Sequence, residues 1–370
     1  MFTVTAKIQI LPSPEQQQIL FDTMKAYKNA CNFVSDYIFK THNLVQASVN
    51  RALYYDTRLK FGLRSQMSQS VQKNVIAKYK TILETAEKWI KPTFQKPQYD
   101  LVWNRDYSLT EGLFSVNTLQ GRIKVAFYSE GMEPYFDGSW SFGTAKLINK
   151  KSKWFLHIPM SNNIAELNDF NVCHVVGVDL GINFLATAYD SFGKTTFYNG
   201  RQIKNQRAKY KEIRRSLQKR QTPSARRRLK AIGQRENRWM SDINHQISKA
   251  LVESHPVGTL FAIEDLTGVR SATEKVRRKK RYEIVSWSFY DFRQKLTYKA
   301  WRYGSKVKAF EPAYTSQTCP VCGHTEKLNR DKKNHRFACK NCGYNSNDDR
   351  IGAMNLYRKG IEYLSTVTGE

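Results

Sequence analysis

Apolar positions follow three successive patterns along this chain, and each pattern predicts a different kind of structure. Phe2 to Leu11 alternates with period two and reads as a strand. Ser13-Pro14-Glu15-Gln16 follows, a helix start with a side-chain cap and proline at the first helical position. The helix is expected to run to about Lys40, because Leu20, Met24, Tyr27, Cys31, Val34 and Ile38 recur on one face. Two more helices are expected, Ser48 to Leu59 and Gln66 to Trp89, the second with Val71, Val75, Tyr79 and Ile82 on one face. From Gln98 to Met160 short alternating runs separated by glycines and polar turns, such as Trp154, Leu156 and Ile158, predict a β-rich, barrel-like module. Since the first strand precedes the helices, the barrel is expected to recruit it and carry the helices as an insertion.

Residues 171 to 370 read as an α/β part. His174 to Asp179 and Thr259 to Glu264 are short apolar strands ending in an acid, Phe184 to Tyr189 is a returning strand, and Lys306 to Phe310 is another. Two long helices are expected between Arg201 and about Val252, broken near Thr222-Pro223-Ser224. A helix from Ser286 to Tyr303 carries Trp287, Phe289, Tyr290, Phe292 and Leu296, read as core. A last helix begins near Arg350, with Gly360 as its expected stop. The fold class is therefore α/β plus β-barrel, and 370 residues suit two or three domains.

Charge narrows the partners. The formal net charge is +28, with 60 Lys and Arg against 32 Asp and Glu. Between Arg201 and Arg238 lie fifteen Lys or Arg and two Glu. Arg201, Lys204, Arg207, Arg214, Arg215, Arg226, Arg227 and Arg228 belong to that stretch, and Arg277, Arg278, Lys279 and Lys280 form a second run. Such density is the electrostatic footprint of a phosphate-binding surface. The first stretch has too few large apolar residues to insert into a membrane.

Three acids and four cysteines carry the candidate chemistry. Asp179, Glu264 and Asp349 are spaced 85 residues apart and fall on separate elements of one domain. Three such carboxylates suit a two-magnesium phosphodiester site, because hard oxygen ligands bind magnesium. Cys319-Pro-Val-Cys322 and Cys339-Lys-Asn-Cys342 form two knuckles separated by sixteen residues, the spacing of a four-cysteine zinc site. Four thiolates leave zinc no open position, so that zinc is structural. Gly323 and Gly343 follow the knuckles and suit tight turns. Cys31 and Cys173 read as small buried hydrophobes, and reduced thiols with no signal or spanning segment point to a cytosolic chain.

Four segments carry a family resemblance: Gly177-Val-Asp179-Leu-Gly, Ile263-Glu264-Asp265-Leu, Tyr314 to Gly323, and Cys339-Lys-Asn-Cys-Gly-Tyr-Asn-Ser-Asn-Asp-Asp349. In this order they resemble TnpB, the transposon-encoded RNA-guided DNA endonuclease related to the type V CRISPR effectors. The resemblance implies an RNase H-like RuvC nuclease domain (171–314 and 345–370) with a zinc ribbon inserted (315–344). It also implies a wedge-type β-barrel (1–11 and 98–170) interrupted by a helical recognition insert (12–97). By motif position Asp179, Glu264 and Asp349 are the catalytic, magnesium-binding acids. The implied partners are a guide RNA from the transposon end and double-stranded target DNA with a short adjacent motif, one chain per RNA, in a prokaryotic cytoplasm at the nucleoid. Many relatives carry Asp where this chain has Asn347. Asp349 keeps the motif's distance from Cys342 and is preferred to Asp348. Two other readings are a nuclease-inactive RNA-guided repressor and an accessory transposase.

Overall fold

The computed structural model describes residues 2–110, 112–128, 130–150, 152–163, 165–181, 183–233, 235–266 and 289–369, in two units, Met1–Asn163 and Ile164–Glu370. In the first unit, β1 (Phe2–Leu11) leads into α1 (Pro14–Thr41), α2 (Gln46–Phe61) and α3 (Ser65–Ala86). The capping box expected of α1 is present: Ser13 Oγ accepts from the Gln16 amide, and Gln16 Oε1 accepts from the Ser13 amide. All six residues of its predicted apolar face are buried. Seven more strands follow: β2 (Tyr99–Leu101), β3 (Tyr107–Thr110), β4 (Leu113–Thr118), β5 (Gly121–Phe127), β6 (Ser141–Phe142), β7 (Ala145–Lys150) and β8 (Lys153–Asn162).

These strands join β1 in one sheet of order β2-β7-β8-β1-β5-β4-β3, with β6 on β8. β1 is an interior strand, paired antiparallel to β8 from Phe2↔Asn162 to Ile10↔Trp154 and to β5 at Ile10 and Leu11. The Tyr107 hydroxyl on the far strand β3 donates to the Gly143 carbonyl beside β6, at 2.8 Å, so the sheet nearly closes into a barrel. Core side chains from the helices and the strands form one cluster, including Tyr27, Tyr79, Tyr99, Phe114 and Ile158.

The second unit is built on a five-stranded sheet of β9 (His174–Asp179), β10 (Phe184–Asp190), β11 (Thr195–Asn199), β12 (Thr259–Glu264) and β13 (Lys306–Phe310). Its order is β11-β10-β9-β12-β13, so β9 is central, antiparallel to β10 and parallel to β12. The basic segment forms α4 (Arg201–Arg220), α5 (Pro223–Ile232) and α6 (Arg235–Glu253), three helices where two were expected, because the chain also breaks at Gly233, whose φ is +47°. α7 (Phe289–Arg302) follows the undescribed stretch; its Phe292 and Leu296 are buried as expected, Tyr290 is exposed, and Trp287 lies outside the described residues. Strands β14 (Arg330–Asp331), β15 (Arg336–Ala338) and β16 (Asn345–Asn347) make a small separate sheet, and α8 (Asp348–Thr368) ends the chain.

Strand periodicity divides the two faces of the central sheet. Val176, Val178, Phe261 and Ile263 point to one side and share a core with Met240, Ile247 and Leu251 of α6 and Phe292 and Leu296 of α7. The opposite face carries Val175, Gly177 and Asp179 of β9 with Leu260, Ala262 and Glu264 of β12, and α8 lies on it. The approach is close enough that a Cβ on Gly177 would stand 2.0 Å from the Ala353 carbonyl oxygen and 2.3 Å from the Tyr357 amide nitrogen. Gly360 does not stop the helix, which runs on to a left-handed cap at Gly369. A Cβ on Gly360 would lie 2.8 Å from Val175 Cγ1, so its role is close packing on the sheet. Gly177→Ala is therefore expected to destabilise this unit by about 3 kcal/mol, the scale of forced overpacking against backbone, read as a lower urea midpoint at an unchanged slope.

Candidate active site

The same alternation that puts Gly177 under α8 puts Asp179 and Glu264 on that face. In the parallel ladder Ile263 pairs with Val178, so the next residues, Glu264 and Asp179, leave the sheet side by side. Asp349 comes from the first turn of α8, where Asn347 Oδ1 accepts from the amides of Asp349 and Arg350, at 3.0 and 3.2 Å. Where α8 crosses the end of β9, a Cβ on Gly352 would come within 2.8 Å of Asp179 Oδ1. A Cβ on Gly181, in the turn after Asp179, would sit 3.8 Å from Asp349 Oδ1. The structure thus brings the three sequence-predicted acids to one end of the sheet.

Their electrostatics follow from that crowding. Burial, then the charges of Glu264 and Asp349, push the Asp179 carboxyl well above the usual range. Glu264 is also raised, by burial first, while a 2.7 Å hydrogen bond from Thr315 and the nearby Arg330 and Lys359 pull the other way. Asp349 is pushed up to about 6 by burial and by the neighbouring Asp348. Carboxylates that destabilise one another in this way are a donor set suited to hard divalent cations.

Asp348 is employed differently. It is fully buried, and its two oxygens face Arg330 Nε at 2.8 Å and His335 Nδ1 at 3.3 Å, both from the segment between the cysteine knuckles. Arg330 also donates to Ser316 Oγ. Asp348 thereby ties the cysteine segment to the start of α8, while Asp349 turns toward Asp179. His335 Nε2 meets the side-chain amide of Asn183, and one ligand atom each of His335, Asp348 and Asp349 falls within 4.8 Å of the others. Sequence reasoning did not single out Arg330, His335, Asn183, Thr315 or Gly352. Polar residues in a loop between knuckles look alike until their partners are known.

One thiol from each of Cys319, Cys322, Cys339 and Cys342 lies within 4.8 Å of the other three, a donor set that can hold zinc. The two knuckles have the same geometry: the Gly323 amide donates to the Cys319 carbonyl and the Gly343 amide to the Cys339 carbonyl, each at 3.0 Å, with φ +74° at both glycines. Phe337, Cys319 and Cys339 pack against Ile351 of α8. Of the two other cysteines, Cys31 is buried as expected, but Cys173 is exposed, its thiol 3.3 Å from the Val257 carbonyl.

The predicted phosphate-binding residues divide into groups. Arg201, Lys204, Arg215, Arg226, Arg227 and Arg228 are exposed. Arg207 is only 6% exposed and, with Arg214, is drawn to the buried Glu236, so Arg207 is not a surface group. Arg277, Arg278, Lys279 and Lys280 lie outside the described residues. A cavity of about 590 Å³ opens beside Asn347, lined by Arg201, Lys204, Asn183, Asn199 and His335. Among the described residues no helix is long and apolar enough to cross a membrane.

Residues 157–269 match the family model "Probable transposase", and residues 289–356 match "Cas12f1-like, TNB domain". The TnpB-like protein MJ0751 of Methanocaldococcus jannaschii is 27% identical over 62% of this chain and 81% of its own length. The chain is similar to TnpB-like proteins. The CRISPR-associated endodeoxyribonuclease Cas12f1 of Syntrophomonas palmitatica is 30% identical over 70% of this chain. Against it and its counterpart from Sulfoacidibacillus thermotolerans, the chain spans 55% and 57% of the relative's length. Among solved structures, the fold resembles the mini-RNA-guided endonuclease CRISPR-Cas_phi3, with a TM-score of 0.61 and 11% identity over 97% of this chain and 92% of that one. It also resembles Cas12f1 in a complex with sgRNA and target DNA, at 0.55 and 12% over 96% and 98%.

The raised Asp349 carboxyl has a measurable consequence. A carboxyl that holds its proton more tightly folded than unfolded weakens the fold as pH rises from about 4 through about 6. In magnesium-free buffer, Asp349→Asn is expected to remove a loss of stability on the order of 3 kcal/mol between pH 4 and 7. Denaturant titrations of both proteins across that range check it.

Proposed function

We propose that this chain is an RNA-guided DNA endonuclease of a transposable element, cleaving target DNA beside a short adjacent motif by metal-assisted phosphodiester hydrolysis. The convergence of Asp179, Glu264 and Asp349 at one end of the central sheet carries the reading. Two magnesium ions, once bound, would supply charge stabilisation for both the attacking and the leaving oxygen. Asp179, on which the charges of both other acids act, would hold the ions together with them. Glu264, oriented by Thr315, and Asp349, oriented by the Asn347 cap, would supply the remaining carboxylate ligands. Asn347 in place of Asp keeps the capping function, since its carboxamide oxygen accepts from two helix amides.

The four cysteines hold a structural zinc whose segment, through Arg330 and His335, fixes the entry of α8 and with it Asp349. The exposed cations of α4 and α5 grip nucleic-acid phosphates, and Arg201 and Lys204 reach the cavity beside Asn347. A guide RNA from the transposon end supplies sequence choice by base pairing with double-stranded target DNA, and the barrel and helices of the first unit read the adjacent motif. One chain acts per RNA, in the cytoplasm at the nucleoid. The relatives named endodeoxyribonuclease support the activity, and the resemblance to Cas12f1 bound to sgRNA and target DNA supports the partners.

Asp179→Ala is expected to lower magnesium-dependent cleavage more than about 100-fold, the scale of losing several kcal/mol of charge stabilisation. Guide RNA and target should still bind, because phosphate affinity rests on Lys and Arg elsewhere. Gel-shift and cleavage assays on one preparation separate the two effects, and retained cutting would sink the assignment.

A further inference from the structure

Side chains of metal-ligand type also meet at the other end of β9. His174 opens that strand, Asp190 closes β10 and His255 lies just beyond α6, and one ligand atom from each falls within 4.8 Å of the other two. Five residues of extended chain, about 17 Å, separate His174 from Asp179, so this cluster is not part of the carboxylate site.

Each member is prepared as a ligand would be. His174 is only 4% exposed, and its Nε2 is buried with no hydrogen-bond partner among the described residues. His255 Nδ1 lies 2.7 Å from the Leu251 carbonyl oxygen, which can only accept, so Nδ1 carries the proton and Nε2 keeps its lone pair. Metal-bound imidazoles are commonly oriented by such a bond to a backbone carbonyl. Asp190 Oδ1 accepts from the amides of Phe192 and Lys194, each at 2.9 Å, which locks the carboxylate in the hairpin turn and leaves Oδ2 outside those bonds. The Phe192 ring lies 5.0 Å from that of His174 and the Phe261 ring 5.7 Å from that of His255, giving the cluster apolar walls.

We infer that His174, Asp190 and His255 form a further metal site, distinct from the carboxylates and the four cysteines, which takes one first-row divalent cation of the zinc type. Two neutral imidazoles and one carboxylate suit such a cation, whereas magnesium favours oxygen donors and several waters. Three protein ligands leave a fourth tetrahedral position for water. The bound ion joins the loop after α6 to the β10–β11 turn and clasps the base of the sheet. This site does not depend on the nuclease reading.

Zinc is the probe. Full-length protein is equilibrated with zinc in the presence of excess magnesium, desalted, and its metal counted by mass spectrometry. The expected stoichiometry is two zinc per wild-type chain, one in His174→Gln or His255→Gln, and one in Cys339→Ser. X-ray absorption of the wild type, which needs no variant to fold, should show sulfur and nitrogen or oxygen ligands in equal shares. One zinc per wild-type chain, an all-sulfur shell, or a second zinc that survives both histidine substitutions would overturn the inference.

Discussion

The seating of α8 on the central strand is the contact on which the candidate site depends. A helix and a sheet normally stand apart by the length of their side chains, but at Gly177 no side chain intervenes, and the Ala353 carbonyl and Tyr357 amide occupy the space a Cβ would take. Gly360 repeats the arrangement against Val175, and Gly352 repeats it against Asp179 itself. Three glycines, one on the strand and two on the helix, thus set the distance between the two elements that carry Asp179 and Asp349. At Gly177 the contact is backbone against backbone, which yields less than a flexible side chain does.

Bringing carboxylates together in a half-buried place costs stability, and the fold offsets it locally. Arg330 and His335 satisfy Asp348, Thr315 bonds Glu264, and Asn347 caps the helix so that Asp349 leaves its first turn in a fixed direction. Burial and the mutual repulsion of Asp179, Glu264 and Asp349 still outweigh the nearby cations, since all three carboxyls are raised. A divalent cation held by these acids would relieve that repulsion. The cysteine segment belongs to the same design, since both residues that hold Asp348 come from between the knuckles.

Local pattern made much of this legible in the sequence. The helical face from Leu20 to Ile38 and the strands ending at Asp179 and Glu264 needed only periodicity, and the knuckles needed only spacing. What escaped was non-local. Gly360 reads as a helix stop because a glycine's usual meaning is conformational, and only the sheet beneath it reveals a packing role. Arg207 looks like any other cation of the basic run until the fold brings Glu236, 29 residues away, against it. The partners of Asp348, Arg330 and His335, lie 18 and 13 residues before it, and the interior place of β1 in its sheet turns on β8, more than 140 residues later. Cys173, typical of buried residues by type, is exposed although His174 beside it is buried.

The most direct test of the central claim is to sequence the RNA that copurifies with the protein and to give that complex a DNA target with randomised flanks in magnesium. One defined RNA is expected, with cutting confined to targets that pair with it and carry a single short flanking motif. A defined RNA with tight target binding and no cutting would contradict the assignment of Asp179, Glu264 and Asp349 as a working nuclease centre.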